Sequence, residues 1–132
     1  MDLALTIDTI GQDDQRWLGT AHGTSAGDSI TLDAAAFTAG THFPNGYLPS
    51  GTCVSLNTST QKYGPYTTGG ANGTGTAAGF LLTPVQVKTA SSTPSGALYW
   101  HGEVVTAYLP FQSGTGSIDA TGKGQLAQIK FV

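Results

Sequence analysis

From Gly79 to Pro110 apolar and polar positions alternate with a period of two, in two runs joined by the loop Thr89 to Gly96. In the first run Phe80 and Leu82 precede Pro84, and Val85 and Val87 follow it with Gln86 and Lys88 between them. Proline has no N–H to give to a ladder, so Pro84 marks a sheet edge or a bend. In the second run Leu98, Trp100, Val104 and Tyr108 share one parity, while His101 and Glu103 have the other. Side chains two apart lie on one face of a strand, which puts these sets on opposite faces. The parity then switches at Val105, Ala107 and Leu109, just after Gly102, where a bulge or sharp bend is expected. The pattern predicts a kinked β-ribbon with Phe80, Leu82, Val85, Val87, Leu98, Trp100 and Val104 in the core. Phe131 joins them from a terminal strand that alternates Ala127, Ile129 and Phe131 with Gln128 and Lys130.

The rest of the chain supplies short strands and turns. Ser29 to Leu32 reads as a strand, and Asp33 to Phe37 as one capped helical turn. Two turn signals follow, Pro44-Asn45-Gly46 and Pro49-Ser50-Gly51. Thr52 to Leu56 is a strand with Val54 and Leu56 inward, and Tyr63-Gly64-Pro65-Tyr66 an aromatic-flanked turn. The glycine-rich stretch up to Gly79 is a flexible loop. Asp119 caps a short helix to about Leu126, which Gly122 and Gly124 weaken by roughly 1 kcal/mol each relative to alanine. The expected class is all-β with one short C-terminal helix.

Residues 1–28 form a leading arm and residues 29–132 a single β-rich domain. In the arm, Leu3, Leu5 and Ile7 alternate with polar or small residues, as suits a strand that adds to a partner's sheet edge. Arg16, Trp17 and Leu18 are its other contact candidates. Trp17 has two readings: an anchor on a partner, or a side chain folded back into the body's own core.

Composition sharpens this division. A chain of 132 residues is long enough to bury roughly two-thirds of its unfolded surface as one domain. Nineteen glycines favour turns and strands, and with only 10% charged residues part of the surface must be Thr, Ser, Gly and Ala or be covered by another chain. Residues 1–33 carry six acids and Arg16, for −5; residues 34–132 carry four lysines against Glu103 and Asp119, for +2. No basic patch follows phosphates, so nucleic acid is not an expected partner. One cysteine, Cys53, excludes an internal disulfide and reads as a small half-buried filler. The start has no basic, apolar signal-peptide pattern, and no apolar run is long enough to span a membrane. The chain is therefore expected to be made in a cytoplasm.

Candidate chemistry is thin. Ser25, His22 and Asp28 are close in sequence but lie in the arm, which does not hold the geometry a nucleophile needs. His22, His42 and His101 lack metal-ligand spacing, except that Glu103 follows His101 by two residues. Gly69 to Gly79 lacks the Gly-Lys-Ser/Thr of a phosphate loop. After Asp33, Glu103 and Asp119 are the only carboxylate side chains of the body, and their positions suggest no glycosidase pair. No catalytic residue, metal or cofactor is expected.

Five segments stand in a telling order: Leu48-Pro49-Ser50-Gly51-Thr52, Lys62-Tyr63-Gly64-Pro65-Tyr66, Gly79-Phe80-Leu81-Leu82, Ala97-Leu98-Tyr99-Trp100-His101-Gly102-Glu103-Val104, and the tail from Ile118-Asp119-Ala120 to Phe131-Val132. In that order and spacing they resemble the lambda-type head decoration proteins of tailed bacteriophages. The resemblance implies a β-clip-like bent ribbon or small incomplete barrel. It also implies a homotrimer that binds the major capsid protein on the outside of the expanded capsid, through the arm, and stabilises the shell against internal DNA pressure. The longer, more acidic arm and the glycines in the C-terminal helix depart from the family. A second reading is a virion- or host-surface carbohydrate-binding module whose contacts include Tyr47, Tyr63 and Tyr66. A third, a small hydrolase, requires a pocket around His101 and Glu103.

Overall fold

The computed structural model describes residues 14–20, 28–89 and 91–132. Their strands are β1 (Asp28–Thr31), β2 (Tyr47–Leu48), β3 (Cys53–Asn57), β4 (Lys62–Pro65), β5 (Gly79–Leu81), β6 (Val85–Gln86), β7 (Ser95–Tyr99), β8 (Gly102–Val104) and β9 (Ile129–Phe131). Five of them make one antiparallel sheet in the order β1-β7-β5-β3-β4. The two outer strands of that sheet meet. Leu32 forms a parallel bridge with Tyr63, and the Asp33 N–H donates to the Tyr63 carbonyl at 2.9 Å. The sheet is thus curled into a small barrel, which removes edges that would otherwise invite pairing with other chains. The all-β class with a short C-terminal helix is what the pattern predicted.

Both predicted bends are present. After β5 the chain turns at Thr83–Pro84, and β6 leaves the barrel to pair with β2. β7 stops at Tyr99, and β8 begins at Gly102, whose φ of +138° favours glycine. β8 then pairs in parallel with β9, away from the barrel. The two limbs of the ribbon therefore pair with each other only through β5 and β7.

One turn lies elsewhere than expected. Tyr63-Gly64-Pro65 belongs to β4, and the reversal comes earlier, where the Asn57 side chain accepts from the N–H groups of Ser59 (2.9 Å) and Thr60 (3.3 Å). A short amide that imitates a turn carbonyl does this locally. Pro65 is tolerated because it ends β4 at the rim of the sheet.

Successive residues on the barrel strands feed two apolar layers. Val54, Leu81 and Leu98 point inward with Ile30 and Leu32, and join Phe37, Phe43, Leu48, Val85 and Val87. Their neighbours Cys53, Phe80 and Tyr99 point outward and join Trp17, Tyr66, Val104, Leu109, Leu126 and Ile129. With both faces covered, these strands carry apolar runs rather than a clean alternation. Cys53 is accordingly fully buried, not half-buried. Trp100 is a correction: it lies beyond the end of β7, 36% exposed, against the His101 ring at 4.4 Å rather than in the core. Leu56, Leu82 and Phe131 are half-buried.

Helices are brief. Asp33 caps a single 3-10 turn at Ala34–Ala36, accepting from the Ala35 N–H at 3.2 Å. Helix α1 (Ala39–His42) was not foreseen; its His42 is buried between the rings of Phe37 and Phe111. His42 Nδ1 accepts from the Thr38 N–H at 2.9 Å, which leaves Nε2–H to donate to the Thr115 carbonyl at 2.9 Å. Helix α2 (Ala120–Gln125) is capped by Asp119, which accepts from the Gly122 N–H at 2.8 Å. A Cβ at Gly122 would stand 2.5 Å from Ile118 Cδ1 and 3.2 Å from the Tyr66 ring, whereas one at Gly124 would meet nothing within 4 Å. Gly122 is a packing requirement, and Gly124 is not.

Candidate functional site

The leading segment meets the body at Gln15–Gly19. Trp17 is 0% exposed, wedged against Phe80 (centroids 5.8 Å apart) and edge-on to Tyr99 (5.4 Å). Its indole Nε1–H donates to Ser50 Oγ at 2.9 Å, and Ser50 donates onward to the Leu82 carbonyl at 2.8 Å. The Gln15 amide donates to the same carbonyl at 2.6 Å. Gly51, at φ +94°, makes the slot: a Cβ there would lie 3.0 Å from the indole and 2.8 Å from Pro110. Burying an indole of this kind is worth about 4–6 kcal/mol by area removed from water.

Backbone pairing completes the attachment. The Val105 N–H donates to the Trp17 carbonyl at 2.6 Å, the Gly19 N–H donates to the Glu103 carbonyl at 3.0 Å, and Leu18 forms an antiparallel bridge with Val104. Residues 17–19 thus act as a third strand beside β8 and β9.

The outer side of this junction is polar and aromatic. Arg16 makes a salt bridge with Asp14 at 2.9 Å and lies over the Tyr108 ring, 5.2 Å from its centroid. The hydrogen bonds from Arg16 hold the Asp14 carboxyl below its ordinary value, and the same contacts hold the Arg16 guanidinium above its own. Tyr108 is 51% exposed. Beside it, Asp14, Tyr47, Pro49, Ser50, Tyr108 and Pro110 line a groove of about 200 Å³.

The sequence candidates fall in three places. Trp17 is a core residue, so the second of its two readings holds, and residues 14–20 are part of the body. Leu18 is half-buried beside Val104, and Arg16 is exposed on the rim. Leu3, Leu5 and Ile7 lie outside the described residues, as do His22 and Ser25. Gln15, Ser50, Gly51 and Tyr108 were missed as members of the junction. The signal for two of them was present in the Pro49-Ser50-Gly51 turn, which needs a positive φ and lies beside the indole.

Among the described residues no other cluster assembles a reactive site. Asp119 accepts from Tyr66 Oη at 2.8 Å, from the Thr68 hydroxyl and from the Gly122 N–H, which together hold its carboxyl below 3.8. Its oxygens are thus engaged in holding α2 to the loop after β4. Burial pushes the Cys53 thiol up, away from thiolate chemistry. Glu103 folds its side chain over Gly19. Tyr66 is buried and Tyr63 packs against the barrel interior, so with Tyr47 they do not form an exposed sugar platform. Among the described residues no group of three or more His, Cys, Asp or Glu is placed to hold a metal, and no helix is long and apolar enough to cross a membrane.

No curated protein and no solved structure matches the chain. A family model does: bacteriophage lambda head decoration protein D, over residues 12–131. The match includes the buried strap around Trp17, the barrel and the final strand. The chain belongs to the bacteriophage lambda head decoration protein family.

Proposed function

We propose that this protein binds the expanded capsid as a homotrimer, grips the major capsid protein through residues 1–13, and reinforces the shell against the pressure of packaged DNA. Membership of the family makes it a phage head decoration protein on the outer surface of the capsid. The observation that carries the finer reading is the junction: a buried Trp17 ties the leading segment to the body at Gln15–Gly19. Leu3, Leu5 and Ile7 alternate as a strand that adds to a neighbouring sheet edge requires.

The mechanism is thermodynamic. A ligand that binds only the expanded shell stabilises it by mass action. Three arms on one trimer add avidity when their spacing matches the lattice. The low charge of the chain suits a body with two covered faces, one against sister subunits and one against the shell. Nucleic acid, membrane and cofactors have no part in it.

The test mixes purified protein with undecorated, expanded shells and measures bound copies and the melting temperature of the shell. Saturable binding and a raised melting temperature are expected, and sedimentation of the free protein should give the mass of a trimer. A monomer that leaves shell melting unchanged contradicts the proposal.

A further inference from the structure

We infer that the groove between Tyr47–Pro49 and Tyr108–Pro110 is the part of the body that docks on the shell, and that it takes an uncharged, extended segment of the major capsid protein. The inference rests on the decoration reading above and adds a named contact surface to it. Geometry supplies the orientation. Seven residues separate Ile7 from Asp14, and fully extended they reach about 25 Å. A compact body of 132 residues is roughly 36 Å across. If Leu3, Leu5 and Ile7 lie on the shell, the face that carries Asp14 must turn toward it, because the opposite face is out of reach. Asp14 itself lines the groove.

The chemistry of the groove selects the occupant. Its walls are two tyrosines, two prolines and Ser50, and its one charged lining residue, Asp14, is neutralised by Arg16. An ionic partner would find no unpaired counter-charge there. At about 200 Å³ the groove is smaller than a typical small-molecule site and accommodates one or two side chains of an extended strand or loop. Aromatic and proline walls favour an extended segment, whose alternate side chains can enter such a groove. Tyr108 is set for this before binding. Arg16 stacks on it, while half of its surface remains exposed. An exposed aromatic held by a cation–π contact is the kind of residue that dominates interface energetics.

The test uses the full chain and undecorated, expanded shells of the phage that carries it. Tyr108→Asp should bind about tenfold or more weakly, with its melting temperature unchanged because the residue is exposed. Tyr108→Phe, which keeps the ring under Arg16, should bind as the unaltered protein does. Ser59→Asp, on the exposed β3–β4 turn, should also leave binding alone. If the unaltered protein binds and Tyr108→Asp binds equally well, the groove assignment is wrong while the decoration reading stands. If the unaltered protein itself fails to bind, the decoration reading falls and the assignment falls with it. A Ser59→Asp loss as large as that of Tyr108→Asp overturns the assignment too, since it shows no preference for this face.

Discussion

The two sides of the barrel wall share strands but draw on different parts of the chain. Its interior is filled by residues from Ile30 to Leu98, all from the middle of the sequence. The layer outside it brings together Trp17 from the start and Leu126 and Ile129 from the end, over Cys53, Phe80 and Tyr99. The inside is therefore a self-contained β core, whereas the outside is a clasp that holds both ends of the chain to it. Under the proposed grip of the leading residues on a shell, this matters. Tension on Asp14 passes through Trp17 into the outward faces of β3, β5 and β7, not into a loose tether that starts at Asp28.

The largest effect expected from this difference is at the indole. Trp17→Ala should cost about 3–5 kcal/mol, the range for deleting a buried aromatic. Hydrogen exchange should show where: the amides of Gly19 and Val105, which pair strap to β8, should lose more protection than that of Leu98 in the barrel. Equal losses in both would show that clasp and barrel unfold as one unit, and the distinction would dissolve.

Gly51→Ala probes the same slot from the other side. A Cβ at φ +94°, pressed between the indole and Pro110, should cost about 1–3 kcal/mol, read as a lowered denaturation midpoint. A neutral result would mean that the indole has room to shift.

Asp119 sharpens the comparison at the other end of the clasp. Asp119→Ala removes the cap of α2 and the partner of Tyr66 and should cost about 0.5–2 kcal/mol. Its carboxyl is held below 3.8 by hydrogen bonds from Thr68, the Gly122 N–H and Tyr66, so it titrates lower when folded than when unfolded. The stability it contributes is therefore present above pH 3.8 and is lost as pH falls through the lower folded value. The alanine variant should show a flatter acid limb in a plot of stability against pH.

The smallest effect is a gain. Gly124→Ala should stabilise the protein by about 0.5–1 kcal/mol, because the site is open and helix entropy favours alanine. Gly122→Ala, two residues earlier in the same helix, should destabilise it despite the same propensity argument, because Ile118 and Tyr66 occupy the space. Melting temperatures that move in opposite directions check both.

Much of the barrel was legible in the sequence because period-two alternation and turn chemistry act locally. Pro84 and Gly102 marked real bends, and Asp33 and Asp119 real caps. What could not be read locally depended on distant segments. β6 pairs with β2, Val85 lying 37 positions after its partner Leu48, and no pattern in either announces it. Trp100 shares the parity of Leu98 but falls beyond the strand end, where parity no longer sets burial. Trp17 had two readings because an isolated tryptophan in a polar segment fits a core as well as an interface. Only Gly51, Ser50 and Phe80, brought together by the fold, decide between them.

The most direct measurement is shell binding by a chain lacking residues 1–13, set against its melting temperature. The account predicts a body that melts as the full chain does, because Trp17 is still in place, yet binds expanded shells far more weakly. Undiminished binding by the shortened chain would contradict it.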